Sequence, residues 1–350
     1  MRARTGNSVV ITLLSVVAAL AGATLLLWLV GAPPLEAAQL IVEGAFGSAD
    51  RTANTLLAWT PLVLASAGLV VTFTAGMWNI GVEGQIVAGA IAATFVAREL
   101  PGPAGLVVPA TVVAGAIGGA AWAWLAGILR TKGNVNEIFG GLGLDFVAAG
   151  LATYLVIGPW ARAGTASTGG TDIFREEAWL PTTSVAGTEM PIIAVTMALV
   201  ATIAVYYLLR GTRFGLRLKA VGKTPRSSFL LGIPNDRYII SAFLIGGALA
   251  GIGGTVQVTG FHHKLVPTVS GGYGFLGILV VLLAGFSARW IAPIALFFMA
   301  VSAGSTQLEL RLGLDSAFGG VLQSVIVLSV MFGTAYGSLR ARAAGKSGEP

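Results

Sequence analysis

Long apolar stretches separated by short polar loops run through the chain, at roughly 8–31, 56–74, 80–97, 105–129, 137–158, 190–209, 238–257, 274–286, 291–308 and 318–336. Most reach the roughly 20 residues that a helix needs to cross about 30 Å of hydrocarbon. The pattern predicts an all-α polytopic membrane protein with about ten transmembrane helices, filling residues 1–350 as one transmembrane domain. The stretch 274–286 is the exception, with 13 residues, short enough to be re-entrant. A crossing there needs an irregular segment through Ser270, Gly271, Gly272 and Gly274, and such backbone is tolerated at membrane depth only where protein or water satisfies its polar groups. The first stretch follows "MRAR" and carries about 24 apolar residues without a clear small-residue cleavage site, so it is expected to stay as a membrane anchor.

Two stretches break this pattern. "TAGMWNIGVEGQIVAGA" (74–90) and "VPTVSGGYGFLGILVVLLAGF" (266–286) are glycine-interrupted, carry polar or aromatic residues at the break, and lie in the two halves of the chain. Such a pair marks discontinuous helices and points to a transport site and an internal repeat of two halves. In the first, Asn79 and Glu83 stand four apart and would share a helix face, with Gln85 turned away. Glu83 and Gln85 either contact solute or cap backbone groups freed by the break. Trp78 either stacks on a planar ligand or belongs to an interfacial belt. Asn134 or Asn136 is an N-cap candidate for the fifth stretch, with Glu137 in its first turn. Asp145 lies about two turns further in and is expected to face the bundle interior. Gln257, Thr259, Phe261, Tyr273 and Phe275 flank or enter the second break, where Gln257 and Tyr273 suit either a sugar or base or helix packing. "GGALAGIGG" and "AGAIGGAAWAWLAG" read as close helix packing.

Composition agrees: 55% of residues are hydrophobic, 10% are charged, and 49 are glycine. The net charge of +6 does not indicate nucleic acid, because the bases sit in short loops, where they report orientation. With the N-terminus inside and ten crossings, fifteen bases lie inside and six outside; if 274–286 fails to cross, the split falls to twelve and nine. The ten-crossing arrangement therefore places both termini in the cytoplasm. With no cysteine in the chain, disulfides, thiolate metal sites and cysteine nucleophiles are excluded. His262 and His263 are adjacent, not three or four apart, which gives no metal site.

The largest inner loop, 210–237, contains Thr224-Pro225, a helix start, and Gly232 before Pro234, a stop. A helix of about two turns is expected at 225–231, either lying on lipid as an amphipathic surface helix or docking a cytoplasmic partner. The C-terminal tail, 338–350, holds Gly345-Lys346-Ser347, but Arg340 stands where a phosphate loop needs its first glycine. No nucleophile, base and orienting group cluster as an enzyme site would.

"WNIGVEGQ", "NEIFGGLGLDFVA", "GLRLKAVGKTPRSSFLLGI", "GGALAGIGGTVQVTG" and "GGYGFLGILVVLLAG" together resemble the permease subunits of bacterial ABC importers for nucleosides and simple sugars, related more distantly to branched-chain amino acid permeases. The resemblance covers about residues 56–336, with Trp78 where phenylalanine is common. It implies a non-enzymatic subunit of the bacterial cell membrane that works by alternating access. Its partners would be a second permease, identical or not, cytoplasmic ATPase subunits and an extracytoplasmic solute-binding protein. No cofactor is expected in this chain; ATP would be used by the partner. The resemblance makes the 225–231 helix, with Gly222, Thr224, Pro225, Arg226, Phe229, Leu230 and Gly232, the ATPase-coupling element. It makes 159–190 the outer segment that meets the binding protein and puts nucleosides first as solute. Trp78, Asn79, Glu83, Gln85, Asp145, Gln257, Tyr273 and Phe275 would lie along the pathway. The competing class is a proton- or ion-coupled transporter using Glu83 and Asp145.

Overall fold

The computed structural model describes residues 17, 21–162, 169–185, 187–315 and 317–346, with side chains to 333. The start of the first apolar stretch with Arg2 and Arg4, the middle of the outer segment at 163–168 and the tail from Ser347 lie outside the described residues. Thirteen α-helices are found among those described, and each of the ten apolar stretches overlaps one of them.

The chain divides into two compact units, residues 1–55 with 297–350 and residues 56–296. The first contains α1 (Ala21–Leu29), α2 (Pro34–Phe46) and α13 (Phe318–Lys346). The sequence reading ended the first span at 31 and placed no helix after it. Instead the chain breaks at Gly31, whose φ of +78° suits glycine, and α2 leaves at 104° to α1. Pro34 at the first helical position and Glu36 in the first turn were the available signals for α2. Leu27, Ala37, Leu40, Leu308 and Phe318 form this unit's core, and Gln323 donates Nε2–H to the Phe298 carbonyl at 2.7 Å. Helices α3 (Ala49–Thr74) and α12 (Ile291–Leu312) contribute residues to both units.

The second unit is built on α4 (Val82–Glu99), α5 (Ala104–Thr131), α6 (Glu137–Ile157), α7 (Ile192–Gly211), α8 (Arg213–Lys223), α9 (Pro225–Leu230), α10 (Asn235–Val256) and α11 (Tyr273–Leu283). Its centre is α4, α5 and α10, and small residues let their backbones meet. A Cβ on Gly119 of α5 would lie 2.7 Å from the Gly251 Cα of α10, and one on Gly89 of α4 would collide with the same Gly251. Among apolar surroundings such close contact replaces the hydrophobic effect as the source of helix association. The glycine runs thus pack helices, as their sequence predicts.

Helix α10 runs into a π-helical turn, Gln257–Phe261. Segment 169–185 packs there: Phe174 N–H donates to the His263 carbonyl at 2.8 Å, Leu180 N–H to the Thr259 carbonyl at 2.9 Å, and Trp179 stacks on His263 at 4.0 Å. Thr183–Val185 and Thr188–Met190 add a short antiparallel ladder that the sequence reading treated as loop. Six helices are long and apolar enough to cross a membrane. Helix α11, with 11 residues, is about 16 Å long and by itself reaches about halfway across the hydrocarbon.

Candidate transport site

Both interruptions are breaks in the backbone. Helix α3 ends at Thr74, Gly76 takes φ +76°, and α4 starts at Val82; Gly271 and Gly272 take φ +56° and +76° before α11 starts at Tyr273. Each break leaves the N–H groups of a new helix without intrahelical acceptors. The two breaks are joined by Glu83, whose carboxylate accepts the Gly272 N–H at 2.9 Å and the Gly274 N–H at 2.7 Å. The Ser270 side chain bonds it too. Gly274 needs its missing side chain here, since a Cβ would fall 2.8 Å from the Glu83 nitrogen. A carboxylate from the first break therefore caps the helix that follows the second.

Asp145 does the same for α4. It is buried and accepts the Gly84 N–H at 2.7 Å through Oδ1. Carboxylates at helix N-termini are favoured by both the free N–H groups and the helix dipole. The chain of contacts runs from Asp145 on α6 to the start of α4, and from Glu83 on α4 to the start of α11. The inward-facing position predicted for Asp145 is found. Asp145 Oδ2 and the Trp122 indole N–H are buried without a partner in the structure, and both residues lie against Gly84. Trp122 escaped sequence analysis because it sits in a helix-packing run and carries no charge.

The predicted sharing of a face by Asn79 and Glu83 is not found. Residue 79 lies in the non-helical break, so helical spacing does not apply to it. Asn79 instead pairs with Gln85, the residue expected to point away: Asn79 Nδ2–H donates to Gln85 Oε1 at 3.0 Å and Gln85 Nε2–H to Asn79 Oδ1 at 2.8 Å. Both are fully buried. Gln257 is also buried and bonds the Tyr273 hydroxyl, which ties the π-turn to the start of α11. Trp78 and Phe275 are exposed, and Trp78 packs on Phe73 at 5.0 Å. Asn136 is the N-cap of α6, accepting the Ile138 N–H at 2.9 Å, and Glu137 pairs with Arg130 at 3.1 Å.

The inner loop holds two helices where one was expected. Thr212 caps α8 by accepting the Gly215 N–H at 3.0 Å, and Gly215, Leu218 and Val221 form its buried stripe. Gly222, next to the end of α8, sits directly on the first break: a Cβ there would collide with the Thr74 carbonyl and lie 2.9 Å from the Gly76 nitrogen. Thr224 precedes α9 but does not cap it with its side chain; its hydroxyl turns back to the Ala220 carbonyl at 3.5 Å, because Thr224 also ends α8. Pro225 opens α9 and Gly232, φ +76°, ends it, as predicted. Ser228 and Asn235, which sequence analysis did not single out as a pair, brace α9 at 2.8 Å. Arg226 is exposed, and Phe229, Leu230 and Leu231 are 70, 78 and 80% exposed. Among the described residues no three His, Asp or Glu side chains are grouped to hold a metal.

Comparison with known proteins accounts for this combination of broken helices and an apolar loop tip. The sequence profile of the family described as "Branched-chain amino acid transport system / permease component" matches residues 51–340. The chain belongs to this family. Beyond the family profile, the permease is 31% identical to a glucose ABC transporter permease protein of Haloferax volcanii, over 90% of this chain and 85% of that one. It is 25% identical to a guanosine ABC transporter permease protein of Bacillus subtilis, over 93% of each. A nucleoside ABC transporter permease protein of Lactococcus lactis is 29% identical over 79% of this chain and 78% of its own, and a second nucleoside permease protein of that organism matches as well.

Proposed function

We propose that the permease is the membrane-spanning subunit of an ATP-driven importer whose solute is a nucleoside, and that it works by alternating access with a separate ATPase. The observation that carries this reading is the inner loop. Helix α9 presents Phe229, Leu230 and Leu231 to the outside from a short braced helix, while Gly222 next to it is seated on the first break. An apolar tip of this kind suits a groove in a cytoplasmic protein. A push on α8 and α9 reaches Thr74–Gly76 without an intervening side chain. From there α4, Glu83 and α11 form one connected path, so motion at the loop becomes motion at both breaks.

In this reading Asn79, Glu83, Gln85, Asp145 and Gln257 hold the ends of the broken helices, and the exposed Trp78 and Phe275 are the groups free to meet solute. Both termini are cytoplasmic, and the segment around 169–185 faces a solute-binding protein outside. The second permease is a different chain, as the pair of nucleoside permease proteins in Lactococcus lactis suggests.

Nucleosides are favoured by the guanosine and nucleoside relatives; a simple sugar is the second reading, favoured by the Haloferax relative. The test is radiolabelled uptake of guanosine, glucose and leucine in cells carrying this gene and its neighbours, with and without the ATPase. Guanosine uptake that disappears with the ATPase is the expected result. Glucose uptake alone would replace the nucleoside assignment. Uptake that persists without the ATPase and collapses with the proton gradient would overturn the importer mechanism.

A further inference from the structure

At the same end of the second unit as the inner loop lies a cavity of about 280 Å³ lined by Thr74, Tyr206, Leu209, Arg210, Lys219, Phe286, Ser287, Ala288 and Arg289. Three of these residues are cationic and none is acidic. The four ion pairs among the described residues involve Arg51, Arg130, Lys132 and Arg162, so none neutralises this cavity. The bases are held in place by neutral groups instead. Arg210 bonds the Tyr206 hydroxyl and lies 5.5 Å from that ring's centre, Lys219 donates to the Leu209 carbonyl at 2.6 Å, and Arg289 lies 5.4 Å from the Trp290 ring centre.

A helical N-terminus meets the same cavity. Ser287 precedes the short turn Ala288–Trp290, which leads into α12, and no side chain caps that turn. Its positive end adds to the field of the three bases. Like charges around one cavity repel unless an anion joins them, and three donors of this kind with two hydroxyls match the oxygens of a phosphate. The rim is apolar: Phe286 and Trp290 are 48 and 50% exposed. A free inorganic ion has no use for such a rim, whereas a phospholipid does, since aromatic side chains sit at the headgroup level and basic pockets beside helix ends take anionic headgroups. The volume, equal to about nine waters, leaves room beside the phosphate.

We infer that this cavity is a binding site for the phosphate group of an anionic phospholipid, held by Arg210, Lys219 and Arg289 and flanked by Phe286 and Trp290. A lipid seated there joins the end of α7, helix α8 and the turn before α12. It would thus brace the helix whose other end rests on the first break.

The test uses the full-length permease, purified in detergent, with unfolding followed by tryptophan fluorescence after addition of phosphatidylglycerol, phosphatidylcholine or inorganic phosphate. Phosphatidylglycerol is expected to raise the unfolding midpoint by roughly 3 °C, and the other two additions to leave it in place. The triple variant R210Q/K219Q/R289Q should lose the shift. A charge-matched control on the same face, R213Q/K223Q/R237Q, should keep it. An equal shift with phosphatidylcholine, a shift retained by the triple variant or a shift lost in the control would each overturn the site. An equal shift with inorganic phosphate would keep the phosphate chemistry but overturn the lipid as its source. Should the triple variant not fold, Lys219→Gln alone is expected to weaken phosphatidylglycerol binding about tenfold in the same titration, and unchanged binding would overturn the assignment.

Discussion

Glu83 and Asp145 are charged groups in an apolar protein, and each spends its oxygens on backbone N–H groups of another helix. Replacing Glu83 by Gln removes the charge and leaves one carbonyl for two donors, so uptake and thermal stability should both fall; unchanged transport would restrict the carboxylate to a dispensable role. The Asn79–Gln85 pair allows a sharper test. Gln85→Leu strands a buried amide and should cost about 1–3 kcal/mol of stability, while adding Asn79→Leu should recover part of that loss, because two matched apolar groups leave nothing unpaired. Denaturant titration of the two single variants and the double variant measures the coupling. Near the outer segment, burial lowers the affinity of His262 and His263 for protons, and Lys264 adds to the effect at His262. The folded state then binds fewer protons than the unfolded one, so this contribution is present above the ordinary histidine value and is lost as the pH falls below it. Between pH 7.5 and 5.5 the unfolding midpoint should drop, and it should drop less in His262→Gln and His263→Gln.

At the scale of elements, the contact between Gly222 and Thr74–Gly76 is where the inner loop meets the first break. Gly222→Ala should leave the protein in the membrane but reduce uptake per ATP hydrolysed at least tenfold, because the added methyl must displace backbone; uptake and ATPase activity measured together check this. The helices themselves were legible in the sequence because length and apolarity suffice to mark them. Helix α8 was missed because its buried stripe, Gly215, Leu218 and Val221, is interleaved with basic residues that make the segment read as loop. The partners of the polar groups were not legible. Glu83 reaches N–H groups at Gly272 and Gly274, and every residue but proline carries that donor, so the sequence contains no sign of which ones it takes. Asn79 was misplaced for a related reason: spacing along a helix says nothing about a residue in a break.

For the whole molecule, transport requires the inner loop, both breaks and the outer segment to act together. An Arg226→Ala/Phe229→Ala double variant should abolish uptake and solute-stimulated ATP hydrolysis while membrane content, read by immunoblot, stays the same. Full coupling in that variant would remove α9 as the docking element. The π-turn at Gln257–Phe261 has a further consequence, for chain length. A π-turn holds one residue more than the α-helical register, so deleting one residue between Gly254 and His262 would straighten the helix and rotate everything after it by about 100°. His263 would leave the face of Trp179, and Tyr273 would lose Gln257. A relative one residue shorter in this interval would therefore need a differently built outer segment, so the spacing from Gly254 to His262 should vary together with the sequence around Trp179.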